Sequence, residues 1–257
     1  MELVRRIAYR EGFGNLLAEG CKKAAEIIGR DTDYYAIHLK GQDLYEEIRA
    51  PVGWGLGTCV ATRGGGHTTG APVCEIAMSL DPKISEVCKR VFGIKNAEPQ
   101  SYEDKPELVL YFEREQELVN SLGLCMFVGT WSDANLMGIP ELAEIYSAAT
   151  GWEITEEELI KIADRILNLE KAFNILHADL GRDDDMPPER CLKEPITDGK
   201  YAGFAYSEDK WNTMLNHYYH LHGWDMKTGF PTRKCLKDLG LADVAHDLER
   251  AGKLGKA

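Results

Sequence analysis

Apolar residues recur every three to four positions through most of this chain, a spacing typical of α-helices that bury one face. Caps frame these runs, among them a Thr155–Glu158 capping box and glycines at positions 29, 123 and 223. The pattern predicts helices over residues 15–28, 106–122, 155–173 and 207–221, then short ones after Thr232 and at 244–248. Residues 34–39 resemble a short strand without a hairpin signal, and strands do not alternate with helices. The sequence therefore predicts an all-α, multi-helical fold.

Two stretches interrupt the helical pattern. Residues 50–72 contain seven glycines, three of them consecutive, and residues 181–204 are rich in Pro, Gly and Asp. Long irregular segments in a helical protein are often functional loops. We therefore predict one long glycine-rich loop at 50–72 and a second loop at 181–204. The first suggests a division of the chain into residues 1–57 and a larger helical domain, 58–257.

Charge and cysteine content exclude several function classes. The 257 residues hold 30 Lys and Arg against 42 Asp and Glu, a net charge of −12, which argues against a nucleic-acid partner. No apolar stretch approaches the ~18 residues that span a bilayer, and the first residues carry no signal-peptide core. We therefore expect a soluble, cytoplasmic protein without a membrane partner. Seven cysteines without a C-x-x-C pair predict reduced thiols.

The first candidate site is Arg63 followed by Gly64-Gly65-Gly66 and His67. Glycines let a backbone approach a ligand closely, while Arg63 adds charge and His67 adds a group that carries protons near neutral pH. The segment lacks the spacing of a P-loop or of a dinucleotide fingerprint. A simple turn with a hydrogen-bonded histidine explains the same residues, so both interpretations stay open.

The second candidate is the segment Asn120-Ser-Leu-Gly-Leu-Cys125, where the helix over 106–122 is predicted to end. A cysteine thiolate at this place can ligate an iron–sulfur cluster. One cysteine does not hold a cluster by itself, and a buried thiol is the plainer alternative.

Two further groups have the residue types of metal ligands. His217 and His220 share a helix face, which suits two ligands, although their aromatic neighbours favour a pocket wall or core packing. The run Asp183-Asp184-Asp185 offers carboxylates for a cation. A solvated loop explains that run without any ligand, and we favour it.

Four motifs occur in a fixed order along the chain: residues 7–20, residues 61–67, the 120–125 segment and residues 218–232. Together they resemble the C-terminal part of the aldehyde ferredoxin oxidoreductase family, the tungsten- or molybdenum-pterin enzymes. The 120–125 segment is similar to the family's D-x-x-G-L-C motif, and 218–232 is similar to its Y-Y-x-x-R-G-W-D…G-x-P-T. The resemblance covers nearly the whole chain and implies that 1–57 is a remnant of the first helical domain, followed by the C-terminal helical domain.

The resemblance also implies an activity and its site. The family oxidises aldehydes to carboxylic acids at a metal held by two pterins and passes electrons through a 4Fe–4S cluster to ferredoxin. By position, Cys125 would be the cluster's isolated fourth ligand, and Gly123 and Leu124 would face a pterin through their backbone. Arg63 and Asn120 would contact the cofactor. His67 would be catalytic, assisting proton transfer near the metal.

The chain departs from the family pattern at several places. Asn120 stands where the family has an aspartate that accepts hydrogen bonds from pterin amines, and His222 stands where an arginine precedes Gly-Trp-Asp. The C-x-x-x-C-x-x-C run and the β-rich N-terminal domain are missing. We therefore expect this chain to bind neither tungstopterin nor a cluster alone, and to be a truncated piece, a split-gene subunit or a decayed copy.

Three functions remain open at this point. The first is an oxidoreductase portion whose partners are an N-terminal half and ferredoxin, with homo-oligomerisation as another way to cover its exposed faces. The second is a helical domain without catalysis, kept for interaction or substrate binding. The third is a related tungstopterin enzyme that acts on an aromatic thioester.

Overall fold

The computed structural model describes residues 1–44, 46–96 and 98–256, and these residues form a multi-helical fold, as predicted. Its helices are α1 Glu2–Ala8, α2 Phe13–Leu17, α3 Cys21–Ile28, α4 Val52–Val60, α5 Val73–Leu80, α6 Pro82–Phe92, α7 Lys105–Ser121, α8 Ile139–Thr150, α9 Glu156–Ala178, α10 Glu189–Lys193, α11 Glu208–His222, α12 Arg233–Asp238 and α13 Ala242–Arg250. Short 3₁₀ turns cover Thr32–Tyr35, His67–Thr69, Met126–Val128 and Arg182–Asp185. Strands β1 His38–Leu39 and β2 Gln42–Asp43 form a small antiparallel pair.

Helix α7 is the centre of the fold, in contact with α4, α9 and α11. Its residues Leu108 and Phe112 are fully buried and belong to the largest hydrophobic cluster, together with Leu56 of α4 and Trp211 of α11. Two smaller clusters extend this core, one between α7, α8 and α9 and one between α9, α12 and α13. Burial on several sides fixes the orientation of α7, and therefore of the polar side chains on its remaining face.

The long helices begin where their caps predict, and α7 and α11 also end at their glycines, whereas α9 continues to Ala178, past the predicted end at residue 173. Thr155 accepts a hydrogen bond from the Glu158 N–H at 3.2 Å, and Ser207 accepts one from the Lys210 N–H at 3.4 Å. Helix α7 carries Pro106 in its first turn and is followed by Gly123 at φ +69°. Local hydrogen bonds to orphan backbone groups decide these boundaries, which is why the sequence predicts them well.

The single helix predicted over residues 15–28 is wrong, because the structure contains two helices there, α2 and α3. Gly20, at φ +85°, separates them. The cap of α3 comes from far along the chain, since the Cys21 N–H donates to Asp43 Oδ1 at 3.1 Å. Asn15, the first residue of the predicted helix, lies inside α2, and its side chain accepts a hydrogen bond from Arg10. A cap supplied by a remote carboxylate leaves no local pattern.

The strand predicted over 34–39 is confirmed only at its end, where β1 pairs with β2, and a hairpin is present that the sequence did not predict. Its turn residues Lys40 and Gly41 both have positive φ, +52° and +83°, as a two-residue hairpin turn requires. Lysine is uncommon at such a position, so the turn signal was missed.

The long glycine-rich loop at 50–72 is also wrong over its first half. Residues Val52–Val60 form helix α4, and every residue of it is buried. The glycines allow close packing: a Cβ on Gly57 would lie 2.6 Å from Ala71 Cα. The proposed division after residue 57 falls inside this helix, and it stays a prediction.

The solvated loop expected at 183–185 is wrong for Asp185, although Asp183 is exposed. Asp185 is fully buried, with Lys40 Nζ at 2.8 Å from Oδ1 and Lys171 Nζ at 2.7 Å from Oδ2. Burial raises the pKa of this carboxyl, but the ammonium groups of Lys171 and Lys40 outweigh burial and hold the pKa below its usual value. The Tyr219 hydroxyl donates a further hydrogen bond at 2.7 Å. This network ties the hairpin, α9 and α11 together.

Candidate functional site

A cleft of about 720 Å³ opens between the turn after α4, the second half of α7 and the middle of α9. Polar and apolar side chains share its lining: Thr62, Arg63, Thr68, Thr69, Gln116, Glu117, Asn120, Met126, Leu169, Glu170, Phe173 and Asn174. Two predicted site residues, Arg63 and Asn120, therefore lie in one cleft although they are far apart in the sequence. Its size is that of a small-molecule site.

Cys125 directly precedes Met126, which lines this cleft, and is not itself a lining residue. Its side chain is exposed, whereas Cys59, Cys74, Cys88 and Cys191 are buried. The alternative of a buried thiol therefore does not hold for this residue. An exposed thiol after a helix end is accessible to a metal or to a partner protein.

The backbone around Gly123 closes the end of helix α7. The Gly123 N–H donates to the Asn120 carbonyl at 3.2 Å, and the Leu124 N–H donates to the Val119 carbonyl at 3.0 Å. Leu124 is 36 % exposed, so it faces outward beside Cys125. Because both N–H groups are used within the chain, a ligand would meet the carbonyl side of these residues.

His67 begins the 3₁₀ turn whose other residues, Thr68 and Thr69, line the cleft. Its Nδ1 lies 2.8 Å from Glu46 Oε1, and its ring is stacked on Trp54 with centroids 5.1 Å apart. About a fifth of the His67 side chain is exposed. A carboxylate on Nδ1 orients the imidazole and makes Nε2 the nitrogen that carries the lone pair in the neutral ring.

Gly64, the first of the three consecutive glycines, packs closely against the hairpin. Gly64 has φ +79°, and a Cβ there would lie 2.9 Å from the Leu39 carbonyl oxygen. Close approach to β1, rather than to a ligand, is what the structure requires of Gly64. The turn still carries Arg63 into the cleft.

Sequence reasoning missed the carboxylates of the cleft, Glu117 and Glu170. Glu117 is only 5 % exposed, and burial raises its pKa to about 7, with the carboxylates of Glu170 and Glu113 adding to the effect. Glu170 accepts a hydrogen bond from the Thr62 hydroxyl at 2.6 Å. The available signal was the i, i+4, i+7 spacing of residues 113, 117 and 120, which puts them on one face of α7.

The histidines of α11 separate into different environments. His222 is buried in the core, 3.1 Å from Glu113 Oε2 and stacked on Trp224. His217 is exposed and lies 2.7 Å from Glu107 Oε1, at a second cleft on another side of α7. Among the residues that the structure describes, no group of three His, Cys, Asp or Glu side chains is placed to hold a metal ion. The same residues contain no helix with the length and apolar content needed to cross a membrane.

Comparison with known proteins first defines the class. The chain is similar to tungsten-containing aldehyde ferredoxin oxidoreductases, which are oxidoreductases, with 32 % identity over 241 residues to the Pyrococcus furiosus protein and 28 % to that of Thermococcus kodakarensis. Each match covers 93 % of this chain and 36 % of the relative. The family model described as aldehyde ferredoxin oxidoreductase, domains 2 & 3, matches residues 1–241. The chain therefore belongs to this family, which confirms the resemblance.

Two more distant likenesses complete the comparison. An aliphatic sulfonate oxidoreductase, WOR-like subunit, from Pyrococcus furiosus is 26 % identical over an alignment of 265 positions, covering 98 % of this chain and 36 % of that protein. The active-site complex BamBC of benzoyl coenzyme A reductase shares the fold at a TM-score of 0.72 and 22 % identity, over 99 % of this chain and 40 % of that one. The chain thus spans about a third of the length of its curated relatives.

The family implies a metal–pterin cofactor, and the residues of this chain are suited to form part of its binding site. The side chain of Cys125 is exposed, and cysteine is the residue type whose sulfur iron–sulfur clusters use as a ligand. The cleft offers hydrogen-bond acceptors, a buried amide and apolar walls, which suit the edge and faces of a flat heterocycle.

Proposed function

We propose that this chain is the helical portion of a tungsten- or molybdenum-pterin oxidoreductase that converts aldehydes to carboxylic acids and delivers the electrons to ferredoxin. One observation carries the proposal: the exposed Cys125 follows α7 and directly precedes Met126, which lines the cleft that also contains Arg63 and Asn120. When bound, the metal–pterin supplies two-electron redox chemistry and the cluster supplies an electron outlet. An N-terminal portion would bring the remaining ligands.

The residues at the end of α7 have the binding roles. Cys125 would be the fourth cysteine ligand of a 4Fe–4S cluster. Gly123 and Leu124 would accept hydrogen bonds from a pterin through their carbonyl oxygens, since their N–H groups bond within the chain. Asn120 provides an amide carbonyl as acceptor without a negative charge. Arg63, on the facing wall, would meet an oxygen or a negative charge of the same ligand.

His67 would hold or move a proton during aldehyde oxidation. The 2.8 Å contact of its Nδ1 with Glu46 fixes the ring, and stacking on Trp54 limits its rotation. An imidazole whose orientation is fixed in this way is suited to general acid–base catalysis. His67 acts here as the proton carrier, and Glu46 as the residue that orients it.

Co-expression tests this proposal. The chain is produced with the N-terminal half of a tungsten-containing relative in medium with tungstate, and the co-purified complex is assayed for iron, tungsten and aldehyde-dependent reduction of a viologen dye. We expect all three in the complex and none in the chain alone, because one cysteine does not retain a cluster. Cys125→Ala should remove iron and dye reduction, whereas Cys21→Ala, at a half-buried thiol, should keep both. Failure to form a complex, or full iron content in Cys125→Ala, would contradict the proposal.

A second candidate keeps the cofactor and changes the substrate. It is favoured by the likeness to the aliphatic sulfonate oxidoreductase subunit and, for the fold, to benzoyl coenzyme A reductase. Under it the substrate is a sulfonate or an aromatic thioester. Assaying the loaded complex with aldehydes, sulfonates and aromatic thioesters separates the candidates by the substrate that drives dye reduction. A complex that binds a substrate but no cofactor would instead support a domain without catalysis.

A further inference from the structure

We propose that Glu117 and Gln116 form a binding site, inside the cleft, for the N–H-bearing edge of a flat heterocycle of the aminopyrimidinone type. The inference deepens the proposed function and rests on it for the identity of the ring, which would be the pterin. Glu117 would be the charged acceptor, and Gln116 would donate to a ring nitrogen or carbonyl.

The acceptors of the site lie on two helices. Glu117 lines the cleft from α7 and is 5 % exposed, and Glu170 lines it from α9. One oxygen of Glu170 already accepts from the Thr62 hydroxyl at 2.6 Å, which holds that side chain to the wall. Asn120 follows Glu117 by one turn on the same face. This face of α7 therefore carries an amide at position 120 and a carboxylate at position 117, and the carboxylate is the stronger hydrogen-bond acceptor.

A buried donor without a partner points to a ligand. Gln116 lines the cleft, is 1 % exposed, and its Nε2 has no hydrogen-bond partner. A buried donor left unpaired destabilises the fold, so native proteins retain few such groups without a reason. A ligand with an acceptor beside its N–H groups, as in an aminopyrimidinone, would satisfy it.

The walls suit a flat ring. Met126 is half-buried, and Leu169 and Phe173 are 51 % and 61 % exposed although they are large and apolar. These three side chains line the same cleft as the polar groups. A flat heterocycle would cover these apolar side chains with its faces while its edge binds Glu117. Small-molecule sites commonly combine apolar walls with a few polar groups in this way.

The charges around Glu117 favour a ligand edge that donates hydrogen bonds. The charged groups that act on Glu117 are Glu113, one turn earlier on α7, and Glu170 from α9. Glu113 is in turn bonded to Tyr218 and His222 of α11, and α4 brings no charged side chain. An anionic edge would be repelled here, whereas N–H groups would be held by charge-assisted hydrogen bonds. Arg63, elsewhere in the lining, suits an oxygen of the same ligand.

Fluorescence titration of the full chain with 6-hydroxymethylpterin tests the inference, with lumazine, which lacks the exocyclic amine, and guanosine as comparison ligands. We expect the pterin to bind at least several-fold tighter than lumazine. Binding of guanosine as tight as that of the pterin would assign the site to a nucleobase and overturn the pterin identity. Glu117→Gln should weaken pterin binding about tenfold, the loss of one charge-assisted hydrogen bond. Glu144→Gln, at an exposed glutamate of α8, is the matched control.

Gln116→Met separates binding from folding. Methionine has a similar length and no donor, so this variant should be as stable as the wild type or more so, because a buried unpaired group is removed. Its affinity for the pterin should nevertheless fall several-fold. The affinity of the wild type should also rise several-fold between pH 6 and 7.5 as Glu117 ionises, and that rise should be absent in Glu117→Gln.

The outcomes distinguish this inference from the function it deepens. No pterin binding by the wild type, equal binding of pterin and lumazine, or unchanged affinity in Glu117→Gln would overturn it. The co-expressed complex would still bind iron and tungsten in that case, and the proposed function would stand. A complex without iron and tungsten, together with intact pterin binding by the chain alone, would contradict the proposed function. The inference of a pterin site at Glu117 would stand in that case.

Discussion

Asp185 and Glu117 are both buried carboxylates in the interior of the helical fold, but the charged groups around them have opposite signs. Asp185 has two ammonium groups within 2.8 Å, from Lys40 and Lys171. Glu117 has carboxylates as its charged neighbours, from Glu113 and Glu170. The pKa of Asp185 is held below its usual value, whereas that of Glu117 rises to about 7. A buried charge that is fully paired serves the fold, and one left beside like charges at a cleft is a candidate for function.

The largest effect in this comparison should come from Asp185→Asn. The substitution leaves Lys40 and Lys171 buried without a counter-charge, and breaking a buried pair in this way costs about 3–5 kcal/mol. Urea unfolding followed by tryptophan fluorescence measures the loss. Asp183→Asn, in the same turn and exposed, should change the free energy of unfolding by less than about 0.5 kcal/mol. Equal stabilities for the two variants would show that the network around Asp185 is not structural.

The second effect, at Glu117, should be smaller, and here the substitution should raise the free energy of unfolding rather than lower it. The pKa of Glu117 is about 7 in the folded chain against 4.5 for the ordinary group. Between these values the folded chain binds more protons than the unfolded one, so the free energy of unfolding falls as pH rises from about 4.5 to about 7, by roughly 2–3 kcal/mol. The side chain at position 117 cannot ionise in Glu117→Gln, so we expect this variant to be more stable than the wild type at pH 8 and to show a smaller slope, the remainder coming from Glu115, whose pKa is also raised to about 7. An unchanged slope in urea unfolding at pH 5, 6, 7 and 8 would contradict the assignment.

The smallest effect should be at Glu115, which combines features of both environments. Burial raises its pKa to about 7, yet it accepts hydrogen bonds from the Thr130 N–H and hydroxyl, both at 2.7 Å. The other oxygen of Glu115, Oε2, is buried without a hydrogen-bond partner. In Glu115→Gln an amide NH2 takes its place, and burying that unpaired donor costs about 1–3 kcal/mol, which offsets most of the gain from removing a buried charge. The stability at pH 8 should therefore rise by less than about 1 kcal/mol, and a gain as large as in Glu117→Gln would contradict this offset.

The predictable part of the fold is the part that depends on neighbours in sequence. The capping box at Thr155 and the bounds of α7 and α11 were predicted because the hydrogen bonds that set them join residues within one turn. Helix α3 was misjudged because its cap, Asp43, comes from the hairpin. Helix α4 was mistaken for a loop because glycine lowers local helix propensity, and only its burial on all sides explains the glycines.

The candidate site divides in the same way. The sequence alone determined the candidate site residues. The family resemblance identified Arg63, His67, Asn120 and Cys125 by their residue types and by their order along the chain. Only the tertiary structure decided that Arg63 and Asn120 share a cleft, that Cys125 is exposed, and that Glu117 is buried beside Glu170. The physical reason is that caps and helix faces are local interactions between residues a few positions apart. Burial, pairing of charges and a cleft between α7 and α9 arise when segments distant in sequence pack together.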